Sequence, residues 1–129
     1  MAGQKVLVVD DEPFILRSLT FVLKKERFEV LEAKNGEEAL AQIRAHHPAL
    51  VFCDVMMPKK NGYEVIREVR ADPAFADIYF VLLTAKGQES DREEGTRLGA
   101  DEYMTKPFSP SRIIEKAHQI LDPADRPQA

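Results

Sequence analysis

Hydrophobic positions along this chain switch between two periods. Short runs that are apolar at nearly every position, at 6–9, 50–53 and 78–83, alternate with stretches in which apolar residues return every three or four positions. Two further runs, 30–33 and 103–104, are shorter or more polar. Continuous apolar runs of strand length suit central strands covered on both faces, and the mixed ones suit edges. The helical stretches put Ile15, Leu19, Val22 and Leu23 on one face over 14–25, and Ala39, Leu40 and Ile43 in a second helix. Val65, Ile66 and Val69 line a third over 62–71, and Ile113, Ile114, Ala117, Ile120 and Leu121 line the last. The stretch between them, 89–98, is mostly charged, so it is expected to be weakly anchored. Strands and helices in regular alternation predict an α/β fold, a single doubly wound parallel sheet of five strands with five helices on its two faces.

Local signals place the ends of these elements. Pro13 fits a first helical turn, and Asn35 with Glu38 three residues on has the spacing of a capping box. Gly99 suits a left-handed cap after the charged stretch, and Ser109 followed by Pro110 opens the last helix. Residues 4–121 are expected to form one domain, with 122–129 as a linker-like tail. At 129 residues the chain can bury roughly two thirds of its unfolded surface, enough for a core without staples.

Charge and composition narrow the function classes. With a net charge of -4 and 31% charged residues, the chain offers no broad basic face for nucleic acid, and Lys59-Lys60 is too short a run to supply one. Cys53 is the single cysteine, which excludes an internal disulfide and a multi-cysteine metal site. Strand alternation turns it away from its neighbour Asp54, as a small buried hydrophobe. His46, His47 and His118 read as surface residues. No apolar run approaches the ~18 residues of a membrane span, and the first residues lead straight into a strand without a signal peptide. A cytoplasmic protein is expected.

The candidate chemistry sits where the strands stop. Asp10 and Asp11 end the first strand, Asp54 the third, Thr84 the fourth, and Lys106 follows the fifth. In an open parallel sheet these ends share one edge, where α/β folds bind ligands. Asp-Asp before a helix serves equally as cap and dipole partner, but three more polar strand ends shift the balance toward a site. Three clustered carboxylates repel and need a cation, and a hard ion such as magnesium takes carboxylates while leaving positions for phosphate oxygens. Asp54 is then a candidate nucleophile toward phosphorus, with Lys106 and the Thr84 hydroxyl as partners for phosphoryl oxygens. No Gly-rich phosphate cradle is present, so a bound nucleotide is not expected.

Four segments carry a family resemblance: Val-Val-Asp-Asp-Glu-Pro at 8–13, Asp-Val-Met-Met-Pro-Lys-Lys-Asn-Gly at 54–62, Leu-Leu-Thr-Ala at 82–85, and Gly-Ala-Asp-Glu-Tyr-Met-Thr-Lys-Pro-Phe at 99–108. Together they resemble the receiver domain of bacterial two-component response regulators, chemotaxis regulators included. The resemblance implies a flavodoxin-like strand order, 2-1-3-4-5. It implies that Asp54 accepts a phosphoryl group from a histidine kinase or phosphotransfer protein. Asp11, Asp54 and the Met56 backbone carbonyl would hold magnesium directly, and Asp10 through a water. Thr84 would be the switch hydroxyl coupled to Tyr103, with Lys106 aimed by a cis peptide to Pro107. Met56 and Lys86 would modulate loss of the phosphoryl group. The face of the fourth helix, fifth strand and fifth helix would switch and serve for homodimerisation, with Arg92, Glu94, Asp101, Glu102, Arg112 and Lys116 offering both charge signs. Output domain or partner is unspecified, and beyond its own phosphorylation and dephosphorylation the chain is not expected to be an enzyme. The alternative is an aspartyl-phosphate phosphohydrolase or phosphotransferase of haloacid-dehalogenase type. Such enzymes open an Asp-x-Asp motif after the first strand and carry a cap, whereas this chain has Asp-Asp-Glu-Pro there and no room for a cap.

Overall fold

The computed structural model of the chain describes residues 4–57, 59–85, 99–106 and 109–121. Five strands, β1 (Lys5–Val9), β2 (Glu29–Ala33), β3 (Leu50–Asp54), β4 (Tyr79–Ala85) and β5 (Glu102–Lys106), form one parallel sheet in the order β2-β1-β3-β4-β5. Four α-helices accompany them among the described residues: α1 (Pro13–Lys25), α2 (Gly36–His46), α3 (Gly62–Ala71) and α4 (Pro110–Leu121). The last is the fifth helix expected from the sequence. The stretch expected to be helical over 89–98, the tail 122–129, Lys86 and Pro107 lie outside the described residues.

Side chains alternate across the strands, so each strand feeds two cores. Leu7, Val9, Val51, Cys53, Phe80 and Leu82 face Ala39, Leu40 and Ile43 of α2 and Val65, Ile66 and Val69 of α3. Val6, Val8, Leu50, Phe52, Val81, Leu83 and Met104 face Leu19 and Leu23 of α1 and Ile113, Ala117 and Leu121 of α4. Each fully buried Leu, Ile, Val or Phe contributes roughly 1.5–3 kcal/mol over leaving it in water, which offsets the polar cluster that the strand ends must carry. The two short runs are indeed the sheet edges.

Three strand boundaries differ from expectation in a way that matters for the site. Runs predicted to stop at Cys53, Leu83 and Met104 continue to Asp54, Ala85 and Lys106, because ladder pairing is a backbone property that polar side chains do not end. A 3-10 turn at Pro73–Phe75 was not anticipated; Asp72 accepts the Ala74 N–H at 3.0 Å and opens it.

Helix caps fix the loops around the sheet edge. Asn35 Oδ1 accepts the Glu38 N–H at 2.9 Å, but Glu38 Oε1 reaches the N–H of Lys34, not that of Asn35, at 3.0 Å, so the expected box closes one residue early. The reciprocal box is on α3, where Asn61 and Glu64 exchange bonds of 3.0 and 2.8 Å. The Ser109 carbonyl accepts the Arg112 N–H at 3.0 Å in the first turn of α4. Gly99 has φ 111°, the positive value expected of it. Replacing Asn61 by Ala leaves the Glu64 N–H without its partner, while the residue-61 N–H keeps Glu64 Oε1 as acceptor. A loss of about 1 kcal/mol in urea denaturation is expected for Asn61→Ala, and an unchanged midpoint would show that the box does not hold the 55–61 loop.

Candidate functional site

Register alone brings the first two carboxylates together. Val9 stands opposite Cys53 on the adjacent strand, so Asp10 and Asp54 are the next residues along, and the Asp10 N–H continues the ladder to Ala33 O at 3.1 Å. With Asp11, one carboxylate oxygen from each of the three lies within 4.8 Å of the others. Asp11 is exposed, whereas Asp10 is fully buried and Asp54 is 6% exposed.

Lys106 closes this cluster from a distance. It belongs to β5, with β4 between it and β3, a lateral separation of about 9–10 Å that only a long side chain spans. Its Nζ donates to Asp10 Oδ2 at 3.2 Å and to Asp54 Oδ2 at 3.1 Å. The remaining oxygens are also engaged: Asp10 Oδ1 accepts the Glu12 N–H at 2.9 Å, and Asp54 Oδ1 accepts the Met56 N–H at 3.4 Å. Thr84, 2% exposed, lies on β4 one residue past Leu83, the register partner of Asp54. Met56 is 62% exposed at the site's rim. Tyr103 pairs in register with Leu82 and packs, half-buried, against the α2–α3 core. Thus all five strand-end residues occupy one edge.

Burial pushes the Asp54 carboxyl above the usual aspartate range; the Lys106 ammonium opposes this and the Asp10 charge reinforces it. Burial pulls the Lys106 ammonium down, but Asp54 and Asp10 outweigh it and hold its pKa above the usual lysine value. Cys53 behaves as expected of a buried hydrophobe. Burial, then Asp54 and Asp10, push its thiol up, and its S–H donates to Asp54 O at 3.5 Å. His47 and His118 pair instead with Asp77 and Glu26, at 2.9 and 2.7 Å.

One contributor was legible only as part of a motif. Gly62 donates its N–H to Val55 O at 2.9 Å, and a Cβ there would stand 2.8 Å from Asp54 O and 3.0 Å from Val55 Cα. The loop after Asp54 therefore folds back against the strand end because residue 62 has no side chain. Asn61-Gly62 was the available signal.

Comparison with known proteins agrees with this arrangement. The family model "Response regulator receiver domain" matches residues 6–118. This chain belongs to that family. It is the receiver domain of a two-component response regulator, and the haloacid-dehalogenase alternative finds no support. The receiver is 45% identical over 123 residues to "Probable transcriptional regulator ycf27" of Pyropia yezoensis, covering 95% of this chain and 49% of that protein. It is 38% identical over 121 residues to the "Phosphate regulon transcriptional regulatory protein PhoB" of Pseudomonas aeruginosa, covering 94% and 53%. The high-resolution structure of the chemotaxis response regulator CheY4 of Vibrio cholerae superposes with a TM-score of 0.86 at 29% identity, covering 94% of the receiver and all of that chain. The chain spans about half the length of the curated relatives it matches. Among the described residues no helix is long and apolar enough to cross a membrane.

The raised Asp54 pKa has a direct thermodynamic consequence. A carboxyl with a higher pKa folded than unfolded destabilises the fold once ionised, so stability falls as pH rises through the folded value. Asp54→Asn removes that ionisation while keeping the shape. At neutral pH the variant is expected to be more stable by about 1 kcal/mol, a melting point higher by a few degrees, with the gap closing at acid pH. Thermal unfolding across pH checks this; a variant less stable at every pH would contradict it.

Proposed function

We propose that Asp54 is the phosphoacceptor of this receiver, taking the phosphoryl group from a phosphohistidine of a histidine kinase or phosphotransfer protein. The observation that carries the reading is the single Lys106 ammonium shared between Asp54 and Asp10 beside a third carboxylate. An Asp54 oxygen forms the new bond to phosphorus as the bond from phosphorus to the donor's histidine nitrogen breaks, and that nitrogen leaves with its electron pair. Lys106 then faces phosphoryl oxygens in place of the Asp54 carboxylate, exchanging one charge-assisted bond for another.

The donor set fits a hard divalent cation, with three carboxylate oxygens within reach of one another and, among the described residues, one ammonium to balance them. Asp11, Asp54 and the Met56 carbonyl would hold magnesium, with Asp10 acting through a water. When bound, the ion would neutralise charge on the transferring phosphoryl oxygens. The chain's own residues do the rest: Thr84 offers a buried hydroxyl to a phosphoryl oxygen, and Tyr103 follows it inward. Met56, exposed at the rim, and Lys86 tune how long the phosphoryl group survives.

The displaced Thr84 would shift the face of β5 and α4 together with the charged stretch 89–98, and that face would serve as a homodimer surface. Beyond its own phosphorylation and dephosphorylation the domain would catalyse nothing. Residues 4–121 would be the working unit, acting in the cytoplasm on an output domain or partner and not on nucleic acid directly. The names of the relatives favour a transcriptional output.

Acetyl phosphate with magnesium is expected to add one phosphoryl group by intact-mass measurement and to move amide signals of β5 and α4. Asp54→Asn should show neither effect. A group that still attaches in the variant, or unmoved signals in the modified wild type, would overturn the reading.

A further inference from the structure

The strand that delivers Lys106 is an edge strand, paired with β4 on one side only. An edge strand with polar residues has weakly specified register, and a slip by one residue turns every side chain to the opposite face. For Lys106 such a slip would withdraw the ammonium from both carboxylates. Core packing holds β5 only through buried Met104 and half-buried Tyr103, so polar contacts at its start are left to help fix the register.

Arg70 supplies that fixation from α3. Its side chain is 19% exposed and its guanidinium meets three acceptors: Nε donates to Gly99 O at 3.0 Å, Nη2 to Asp101 Oδ2 at 2.8 Å and Nη1 to Phe75 O at 3.4 Å. Asp101 Oδ2 also accepts the Phe80 N–H at 2.8 Å, while the Asp101 N–H donates to Phe80 O at 2.9 Å. Asp101 thus seals the first rung of the β4–β5 ladder, and Arg70 neutralises the carboxylate that does it. Gly99 is shaped for this contact: its φ is 111°, and a Cβ there would stand 2.9 Å from Arg70 Cγ. One residue further on, Glu102 accepts from Tyr79 Oη at 2.7 Å and pairs with Lys116, holding the strand against α4.

We propose that Arg70 is a positioning residue for Lys106, acting through Asp101 to set the register of β5. The planar fork is what the site requires, because a lysine offers one point charge where Arg70 meets three acceptors in different directions. The functional side of the proposal rests on Asp54 being the phosphoacceptor, but its geometric side does not.

Two readouts on wild type, Arg70→Gln, Arg70→Lys and Asp101→Asn keep these apart. The first is the Lys106 ammonium signal in metal-free protein by nitrogen-detected NMR, assigned by its loss in Lys106→Met. Its bonds to both carboxylates are expected to slow its hydrogen exchange, and their loss to abolish that protection. The second is the initial rate of Asp54 phosphorylation by acetyl phosphate with magnesium. In Arg70→Gln, with amide signals of β1 and α1 unmoved, the ammonium signal should broaden beyond detection and the rate fall roughly tenfold, as displaced catalytic groups do. Arg70→Lys should fall between the two. A Lys106 signal as protected in folded Arg70→Lys and Asp101→Asn as in wild type overturns the proposal, whatever Arg70→Gln does. A lost signal in a protein whose wild type is never phosphorylated upholds the positioning role and overturns only the phosphoacceptor reading.

Discussion

Three carboxylates crowded at one edge of the sheet, balanced among the described residues by one ammonium from two strands away, set the terms for the rest of this structure. At about 4 Å a pair of unit charges interacts with roughly 4 kcal/mol at an effective dielectric of 20, a large fraction of a small domain's net stability. Parallel strands must all end on the same side, so the topology itself creates the crowd once Asp10 and Asp54 end neighbouring strands. Lys106 makes that arrangement tolerable without relieving it, since the Asp54 carboxyl stays above its ordinary range through burial and the Asp10 charge despite the ammonium. A site held in this state favours whatever brings further positive charge or replaces carboxylate by a better acceptor.

Several features of the fold become intelligible as supports for that edge. Gly62 lets the loop after Asp54 lie against the strand end, and the Asn61–Glu64 box starts α3 immediately behind it. Gly36 admits the Lys60 backbone, whose carbonyl would be 2.3 Å from a Cβ, so the same loop is braced against the start of α2. Arg70 and Asp101 fix the far strand, from which the balancing charge comes. Two apolar layers supply the stability that the polar edge consumes, the usual division between scaffold and functional site.

How much of this the sequence disclosed depends on the range of the interaction. Asp10, Asp11, Asp54, Thr84 and Lys106 were visible because each stands at the end of an apolar run, and alternating periods imply where parallel strands end. The core followed from the same periods: Ile43, Ile66 and Ile113 are all fully buried as expected. Strand ends were read short at Cys53, Leu83 and Met104 because hydrophobicity, not backbone pairing, was the signal. The capping box was placed at Asn35 and Glu38, where spacing allowed it, while the box at Asn61 and Glu64 had the same spacing and went unread. Arg70 was beyond reach, since its partners Gly99 and Asp101 lie 29 and 31 residues away and no local pattern links them.

The balance between Asp54, Asp10 and Lys106 is open to direct observation by carboxyl-carbon NMR of Asp54 through a pH titration, in metal-free wild type and in Lys106→Met. The expected result is a midpoint above the ordinary aspartate value in wild type and higher still when the ammonium is gone. An Asp54 that titrates at or below its ordinary value in wild type, or at the same pH in both proteins, would contradict the electrostatic account of the site.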